Sequence, residues 1–192
     1  ITAGRWAERN RGNTEPEARR EAFAALLHTL RPRSLIEVGC SYGENLTRFA
    51  RGATDIQVAG IDVGVAPLQA AEATLRGRLL CGSAYALPIA DRSFDVSCTM
   101  WVFCHLPPTD VQHALNELTR ISRRYIVLVE YFDECVPEGA SHMGLDFRIY
   151  NHNYAEWAST RSDFQLLHMG PTAGAPSNTC SVTFLLKRCD AD

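Results

Sequence analysis

Short apolar runs alternate along the chain with segments in which apolar residues recur at helical spacing. The apolar runs predict strands at Ser34–Val38, Gln57–Asp62, Leu79–Cys81, Phe94–Met100 and residues 125–130. The segments of helical spacing predict helices at residues 15–30, in the stretch that contains Leu46, Phe49 and Ala50, and at residues 65–76 and 109–121. Strands that alternate with helices are typical of βαβ units, so we predict an α/β fold with a mostly parallel sheet.

The pattern changes after Tyr131. Residues 132–153 are rich in polar and aromatic side chains and show no regular period, which predicts an irregular segment. Two more strands are predicted at residues 164–168 and 180–186, the last of them antiparallel to the rest. For a chain of 192 residues we expect one domain. Within it, residues 1–33 would form a helical cap, and residues 132–160 would form a lid over the substrate.

Composition and charge narrow the set of partners. The net charge is −3 and there is no long basic run, so neither nucleic acid nor an anionic membrane is an expected partner. No apolar run is long enough to span a bilayer, and no signal peptide is visible. We therefore expect a cytoplasmic protein, a monomer or homodimer, that acts on a small molecule.

The seven cysteines are odd in number, and none of them forms a CxxC pair. This predicts free and mostly buried thiols in a reducing compartment. The nearest approach to a metal-ligand cluster is Cys98, Cys104 and His105, and we expect no metal there.

The most informative segment runs from Leu35 to Asn45 and joins the first strand to the next helix through Gly39 and Gly43. Glycines at such a turn allow a ligand to approach the backbone closely, and the following helix begins with unpaired N–H groups. Asp62 ends the second strand, where its carboxylate could accept hydrogen bonds from two ribose hydroxyls. The sequence therefore predicts an adenosine-containing cofactor at the carboxyl ends of the strands.

Two details favour S-adenosylmethionine over a nicotinamide dinucleotide. The pattern Gly-x-Gly-x-x-Gly is absent, and Glu37 stands two residues before the first glycine. A carboxylate at Glu37 would repel a pyrophosphate, but it can bind the amino group of a methionine moiety. The segment Gly82-Ser83-Ala84 could surround an adenine edge. A dehydrogenase and a noncatalytic cofactor sensor remain as alternatives.

Residues 34–107 resemble the class I S-adenosylmethionine-dependent methyltransferases. The resemblance rests on Glu37-Val38-Gly39-Cys40-Ser41-Tyr42-Gly43, Asp62, Gly82-Ser83-Ala84, Leu87-Pro88, Ser93-Phe94-Asp95 and His105-Leu106-Pro107. It implies a Rossmann-like, mostly parallel seven-stranded sheet with an antiparallel C-terminal strand. It also implies cofactor contacts from Glu37, Gly39, Cys40, Ser41, Gly43, Asn45, Asp62, Val63, Ser83, Ala84 and Trp101. Ser41 stands where many members carry glycine, and Ser83 stands where many carry aspartate.

A narrower resemblance covers most of the chain. The sequence is similar to small methylases associated with pseudaminic acid biosynthesis at Trp6, Glu8-Arg9-Asn10, Arg123-Arg124-Tyr125-Ile126-Val127, Glu130-Tyr131-Phe132 and Asp146-Phe147. It implies a sugar-like acid or a related biosynthetic intermediate as the methyl acceptor.

The candidate catalytic residues lie after the fourth strand and at the end of the fifth. His105 could act as a general base in O- or N-methylation, or it could cap the next helix or pack under the cofactor. Glu130 could orient the acceptor and Tyr131 could wall the pocket, and a structural role is the alternative for each. The candidate substrate-binding residues are His142, Asp146, Arg148, Tyr150, Trp6 and Arg9. Among them, Arg148 could bind a carboxylate in a bidentate manner or pair with Asp146 at the surface.

Overall fold

The computed structural model describes residues 17–51, 55–71, 75, 77–143, 148–175 and 180–191, and only the backbone of residues 141–143. The predictions for Trp6, Arg9 and Asp146 lie outside these residues, and the side chain of His142 also lies outside them.

Helices cover both faces of a central sheet. They are α1 (Glu17–Thr29), α2 (Glu44–Arg51), α3 (Val65–Ala70), α4 (Pro108–Ile121) and α5 (Tyr154–Ser159), with a 3₁₀ turn at Phe103–His105. In the described part of the chain, no helix is long and apolar enough to cross a membrane.

The strands are β1 (Ser34–Val38), β2 (Gln57–Asp62), β3 (Leu79–Cys81), β4 (Phe94–Met100), β5 (Ser122–Tyr131), β6 (Ser141–Met143), β7 (Arg148–Tyr150), β8 (Phe164–Pro171) and β9 (Ser181–Arg188). Seven of those in the described residues form one sheet in the order β3-β2-β1-β4-β5-β9-β8. The pairs from β3 to β5 are parallel, and β9 is antiparallel to both β5 and β8. The predicted α/β fold, with a mostly parallel sheet and an antiparallel C-terminal strand, is confirmed.

The segment after β5 differs from the prediction. Residues 132–153 are not irregular throughout, because β6 and β7 pair in antiparallel fashion, with Ser141 opposite Tyr150 and Met143 opposite Arg148. This ribbon is separate from the main sheet. Strands of three residues are too short to show a period of two in the sequence.

Neighbouring residues on the central strands pack into two different hydrophobic cores, one on each side of the sheet. Leu35 packs on one side of the sheet with Phe23, Leu27 and Phe49 from the helices α1 and α2. Ile36 packs on the other side, in the core that contains Leu118 of α4 and Trp157 of α5. The strands are therefore buried on both faces, which explains their continuous apolar runs.

The thiols are free, but most of them are not buried, so that part of the prediction is wrong. The buried cysteines are Cys40, Cys98 and Cys104, and the exposed ones are Cys81, Cys135, Cys180 and Cys189. Within the described residues, no group of three or more His, Cys, Asp or Glu side chains could hold a metal ion.

Candidate functional site

A pocket of about 520 Å³ opens at the carboxyl ends of β1, β2 and β4. Its wall includes nine of the predicted site residues, namely Gly39, Asp62, Val63, Ser83, Ala84, Trp101, His105, Arg148 and Tyr150. It also includes residues that the sequence analysis did not select, among them Pro67, Tyr85, Met100, Val102 and Leu106. Crevices at this edge of an open α/β sheet are the usual ligand sites of such folds.

The turn after β1 requires unusual backbone angles. Gly39, Ser41 and Gly43 have φ values of +80°, +48° and +69°. A Cβ atom at Gly39 would overlap the methyl groups of Val102, and one at Gly43 would overlap Leu75. The glycines are therefore needed for packing against other parts of the chain. The expectation from the sequence was instead that they make room for a ligand.

Asp62 is oriented by backbone N–H groups on both sides. Its Oδ2 atom accepts a hydrogen bond from the Ser41 amide at 2.8 Å, and its Oδ1 atom accepts one from the Gly64 amide at 2.7 Å. Each carboxylate oxygen can accept a second hydrogen bond. The two oxygens are thus held in place and retain capacity for a pair of hydroxyl donors.

Glu37 directly precedes Val38 and Gly39 of the pocket wall and is 2% exposed. Its Oε1 atom accepts a hydrogen bond from Asn45 Nδ2 at 2.6 Å, and the same Nδ2 atom is 3.7 Å from the sulfur of Met100 on the wall. Among the described residues, the buried Oε2 atom has no hydrogen-bond partner. Burial raises the pKa of Glu37 to about 8, although Asn45 acts in the opposite direction. Once Glu37 is ionised, Oε2 is an unpaired acceptor within the part of the chain that the structure describes, and it would fit a cationic donor from a ligand.

Apolar side chains line the end of the pocket near β2. Val63 is 65% exposed, and it lines this end together with Pro67 and Ala84. The Ser83 hydroxyl oxygen accepts a hydrogen bond from the Tyr85 amide at 3.2 Å. Ser83 therefore shapes its own turn, and its O–H proton remains available as a donor.

His105 ends the 3₁₀ turn and reaches the ribbon formed by β6 and β7. Its Nδ1 atom lies 3.1 Å from the carbonyl oxygen of Arg148. Because a carbonyl can only accept, Nδ1 carries the proton, and the neutral ring then has its basic lone pair at Nε2. Burial lowers the pKa of His105, although the bond to Arg148 acts in the opposite direction, so the ring is neutral at physiological pH. The helix α4 begins without a side-chain cap, so His105 does not cap it.

Trp101 adopts a strained conformation on the wall, with φ at +55°. Its Nε1 atom donates to Ser181 Oγ at 3.1 Å, and Ser181 Oγ in turn donates to Thr172 Oγ1 at 3.0 Å. Tyr131 packs against the indole in a T-shaped arrangement, with ring centroids 6.4 Å apart, and burial raises the pKa of Tyr131. Tyr131 thus supports Trp101 from behind and is not part of the wall.

Glu130 lies beneath the wall and is fully buried. Its Oε1 atom accepts hydrogen bonds from the Thr99 hydroxyl at 2.7 Å and from the amides of Val102 and Phe103 at 3.2 and 3.1 Å. Its Oε2 atom accepts one from the Cys104 amide at 3.1 Å. Burial raises its pKa, and these hydrogen bonds act in the opposite direction. The structure thus does not bring Glu130 into contact with the pocket, where the sequence analysis expected it.

Buried polar residues fix the ribbon segment over the pocket. Asn151 donates to the carbonyl groups of Asp133 and Val136, at 3.0 and 2.6 Å. The buried His152 donates from Nε2 to the Leu106 carbonyl at 3.0 Å, and its ring stacks on Tyr150 with centroids 6.0 Å apart. Arg148 itself is exposed at the pocket rim.

Comparison with known proteins agrees with this geometry. Residues 36–127, just under half of the chain, match the family model of a methyltransferase domain. Demethylmenaquinone methyltransferase of Thermotoga maritima is 26% identical over 106 residues, which cover 55% of this chain and 45% of that protein. The match thus spans less than half of the relative's length.

Two solved structures extend the likeness beyond the matched domain. The sugar N-methyltransferase KedS8 from a Streptoalloteichus species superposes with a TM-score of 0.71 at 16% identity, over 94% of this chain and 90% of that one. The 1,6-didemethyltoxoflavin N1-methyltransferase of Burkholderia thailandensis, which was solved with S-adenosylhomocysteine, gives 0.71 at 15% identity, over 95% and 83%.

The fold is that of the Rossmann-like methyltransferases. In this methyltransferase fold, S-adenosylmethionine is the cofactor that fits the pocket. Asp62 presents two oriented oxygens for a ribose diol. Glu37 directly precedes Val38 and Gly39 of the wall, and its buried Oε2 atom, which has no hydrogen-bond partner among the described residues, would suit an ammonium group. Val63 and Ala84 supply apolar surface for an adenine ring.

Proposed function

We propose that this protein is an S-adenosylmethionine-dependent methyltransferase that acts on a small molecule. The observation that carries the proposal is the buried Oε2 atom of Glu37, which is unpartnered in the described part of the chain; Glu37 is next in sequence to Val38 and Gly39 of the wall that also contains Asp62 and His105. An ammonium group beside Glu37 and a ribose beside Asp62 would seat the cofactor across the ends of β1 and β2. The methyl acceptor would then lie over the end of β4, next to His105.

Different residues of the pocket have different roles in the proposed reaction. When bound, the cofactor supplies a sulfonium methyl group for an in-line displacement. Holding the reacting atoms in line can lower the barrier by roughly 7–11 kcal/mol. His105 would accept the proton of a hydroxyl or amine nucleophile at Nε2 as that nucleophile takes up the methyl group. The carbonyl of Arg148 keeps the imidazole in the tautomer that this step requires.

Arg148 and Tyr150 support the choice of a small acidic acceptor. Both line the pocket on the same side as His105, and Arg148 and Asp62 are the charged residues among the wall residues described. A guanidinium at this end would bind a carboxylate of the acceptor through paired N–H groups. A sugar-like acid or a related biosynthetic intermediate has this chemistry. The relatives named above are methyltransferases named for demethylmenaquinone, 1,6-didemethyltoxoflavin and a sugar, all of which are small molecules.

We further propose that the segment around the ribbon of β6 and β7 covers the acceptor. Its anchors at Asn151 and His152 keep the strand β7 above the 3₁₀ turn.

Transfer of a labelled methyl group tests the proposal. The protein is incubated with S-adenosylmethionine carrying a tritiated methyl group and with a small-molecule extract from which macromolecules have been removed. We expect label in an acidic, low-molecular-weight product, and much less label with the Asp62→Ala variant when S-adenosylmethionine is not saturating. Tight binding of S-adenosylhomocysteine without transfer to any extract fraction would instead favour a noncatalytic sensor. Binding of a nicotinamide dinucleotide in its place would favour a dehydrogenase.

A further inference from the structure

Glu130 occupies an unusual electrostatic position for a fully buried acid. Four donors point at its two oxygens, and three of them are the consecutive amides of Val102, Phe103 and Cys104. The fourth is the hydroxyl of Thr99 in β4. Successive backbone N–H groups that converge in this way form an anion-binding concavity, and here the anion is a side chain of the protein.

The three amides belong to the segment that carries His105. The His105 amide donates to the Val102 carbonyl at 3.0 Å, and the Leu106 amide donates to the Phe103 carbonyl at 3.0 Å. Hence Glu130 binds the first part of the turn, and the turn ends at the candidate base. A displacement of the Glu130 carboxylate would therefore also displace His105, because the backbone hydrogen bonds of the turn connect the two.

His105 is held on its other sides by residues of the ribbon segment. The Arg148 carbonyl accepts from Nδ1 of the ring, and His152 donates to the carbonyl of Leu106, the next residue in the chain. Glu130 supplies the support from the sheet. The imidazole of His105 therefore lies between the sheet, which carries Glu130, and the ribbon segment, which carries the Arg148 carbonyl. Nδ1 reaches that carbonyl only when both elements keep their positions.

We propose that Glu130 is a positioning residue that holds His105 in the orientation required for proton transfer, an inference that rests on the methyltransferase function proposed above. Glu130 touches neither the pocket nor the reacting atoms. It acts through the turn at residues 102–104, and its removal would leave the cofactor contacts at Glu37 and Asp62 in place.

The test uses Glu130→Gln. The variant keeps the size of the side chain, but one terminal atom now donates, so it can no longer accept from the turn at both ends. A displacement of about 1 Å at a reacting group can cost roughly 10²-fold in rate. We therefore expect methyl transfer at saturating S-adenosylmethionine to fall by about that factor, while the affinity for S-adenosylhomocysteine stays within about twofold.

Nitrogen-15 NMR of the histidine rings gives a readout that needs neither cofactor nor acceptor. The His105 signal, assigned with His105→Gln, should show the Nδ1–H tautomer in the wild type and a mixture of tautomers in Glu130→Gln. The matched control is Asp95→Asn, which alters a buried acid near the start of β4. Asp95→Asn should lower the stability and leave the His105 signal unchanged.

Each outcome decides the matter. If Glu130→Gln folds and its His105 signal matches the wild type, Glu130 is merely structural and the proposal is overturned. If Glu130→Gln does not fold, Thr99→Val takes its place, since it removes one donor and keeps the three amide bonds. A smaller shift of the same signal supports the proposal, and an unchanged signal overturns it. Failure of methyl transfer in the wild type, with the expected NMR result, would count against the proposed function alone.

Discussion

Replacement of Glu37 by glutamine should raise the stability of the ligand-free protein at alkaline pH and weaken cofactor binding. The glutamine has the same shape and still accepts the hydrogen bond from Asn45, which is 2.6 Å long in the wild type. It removes only the buried charge. The two effects have opposite signs because the charge is unfavourable without a ligand and favourable beside an ammonium group.

The magnitude follows from the pKa of Glu37, which burial raises from 4.5 to about 8. A tenfold change in proton affinity is worth about 1.4 kcal/mol, so ionising Glu37 in the ligand-free fold costs up to about 5 kcal/mol. The folded protein binds this proton more tightly than the unfolded chain does. The contribution of Glu37 is therefore fully present below pH 4.5, and it is lost as the pH rises through about 8.

Urea denaturation at several pH values measures this loss. Glu37→Gln should match the wild type at acid pH and exceed its unfolding free energy at pH values above the Glu37 pKa. Asp95→Asn is the control of opposite sign. Burial tends to raise the pKa of Asp95, but the Arg33 amide and the Arg123 guanidinium outweigh this and lower it. Its contribution is present above its ordinary pKa and is lost on acidification, so Asp95→Asn should be less stable than the wild type at neutral pH.

Calorimetry with S-adenosylhomocysteine measures the second effect. Because the ligand requires Glu37 to ionise, the wild type should release about one proton on binding when the pH is below the Glu37 pKa. Glu37→Gln should release none and should bind less tightly by roughly 1.5–3 kcal/mol. Equal affinity in the two proteins, or a variant that is less stable at alkaline pH, would refute the reasoning.

Three further substitutions have separate outcomes. Asp62→Ala should weaken S-adenosylhomocysteine binding by roughly 1.5–3 kcal/mol in calorimetry, and Asp62→Asn should weaken it less because one acceptor oxygen remains; an unchanged affinity would exclude the ribose contact. Ser41 has a φ of +48°, which is unfavourable for a residue with a Cβ atom, so Ser41→Gly should raise the unfolding free energy by about 1 kcal/mol in urea denaturation. Ser41→Ala keeps the Cβ atom and should not raise it. A loss of stability in the glycine variant would contradict this. His105→Gln should slow methyl transfer about 10²–10⁴-fold with normal cofactor binding, and near-normal turnover would remove His105 from the reaction.

The sheet could be predicted from the sequence because its strands are buried on both faces. Such strands appear as continuous apolar runs between turn residues, and the bounds of β1 to β4 agree with the prediction. The ribbon of β6 and β7 could not be predicted, because three residues carry no detectable period. Its position depends on side chains such as Asn151, whose partners are up to 18 residues away.

The site was less predictable than the sheet. Glu37 and Asp62 stand at fixed distances from the glycine turn, so their sequence positions carry the signal. The sequence gives no signal for the side of the sheet on which the Glu130 side chain lies. The strand β5 is buried on both faces, so its pattern does not indicate which face an acid occupies. The need for glycine at position 39 arises from Val102, a residue that folding alone brings close.

A crystal structure of the complex with S-adenosylhomocysteine tests the central claim most directly. The account predicts the ligand across the carboxyl ends of β1 and β2, with its amino group at hydrogen-bond distance from Glu37 Oε2 and its ribose hydroxyls on the two oxygens of Asp62. A bound ligand whose amino group lies away from Glu37, or whose ribose lies away from Asp62, would contradict it.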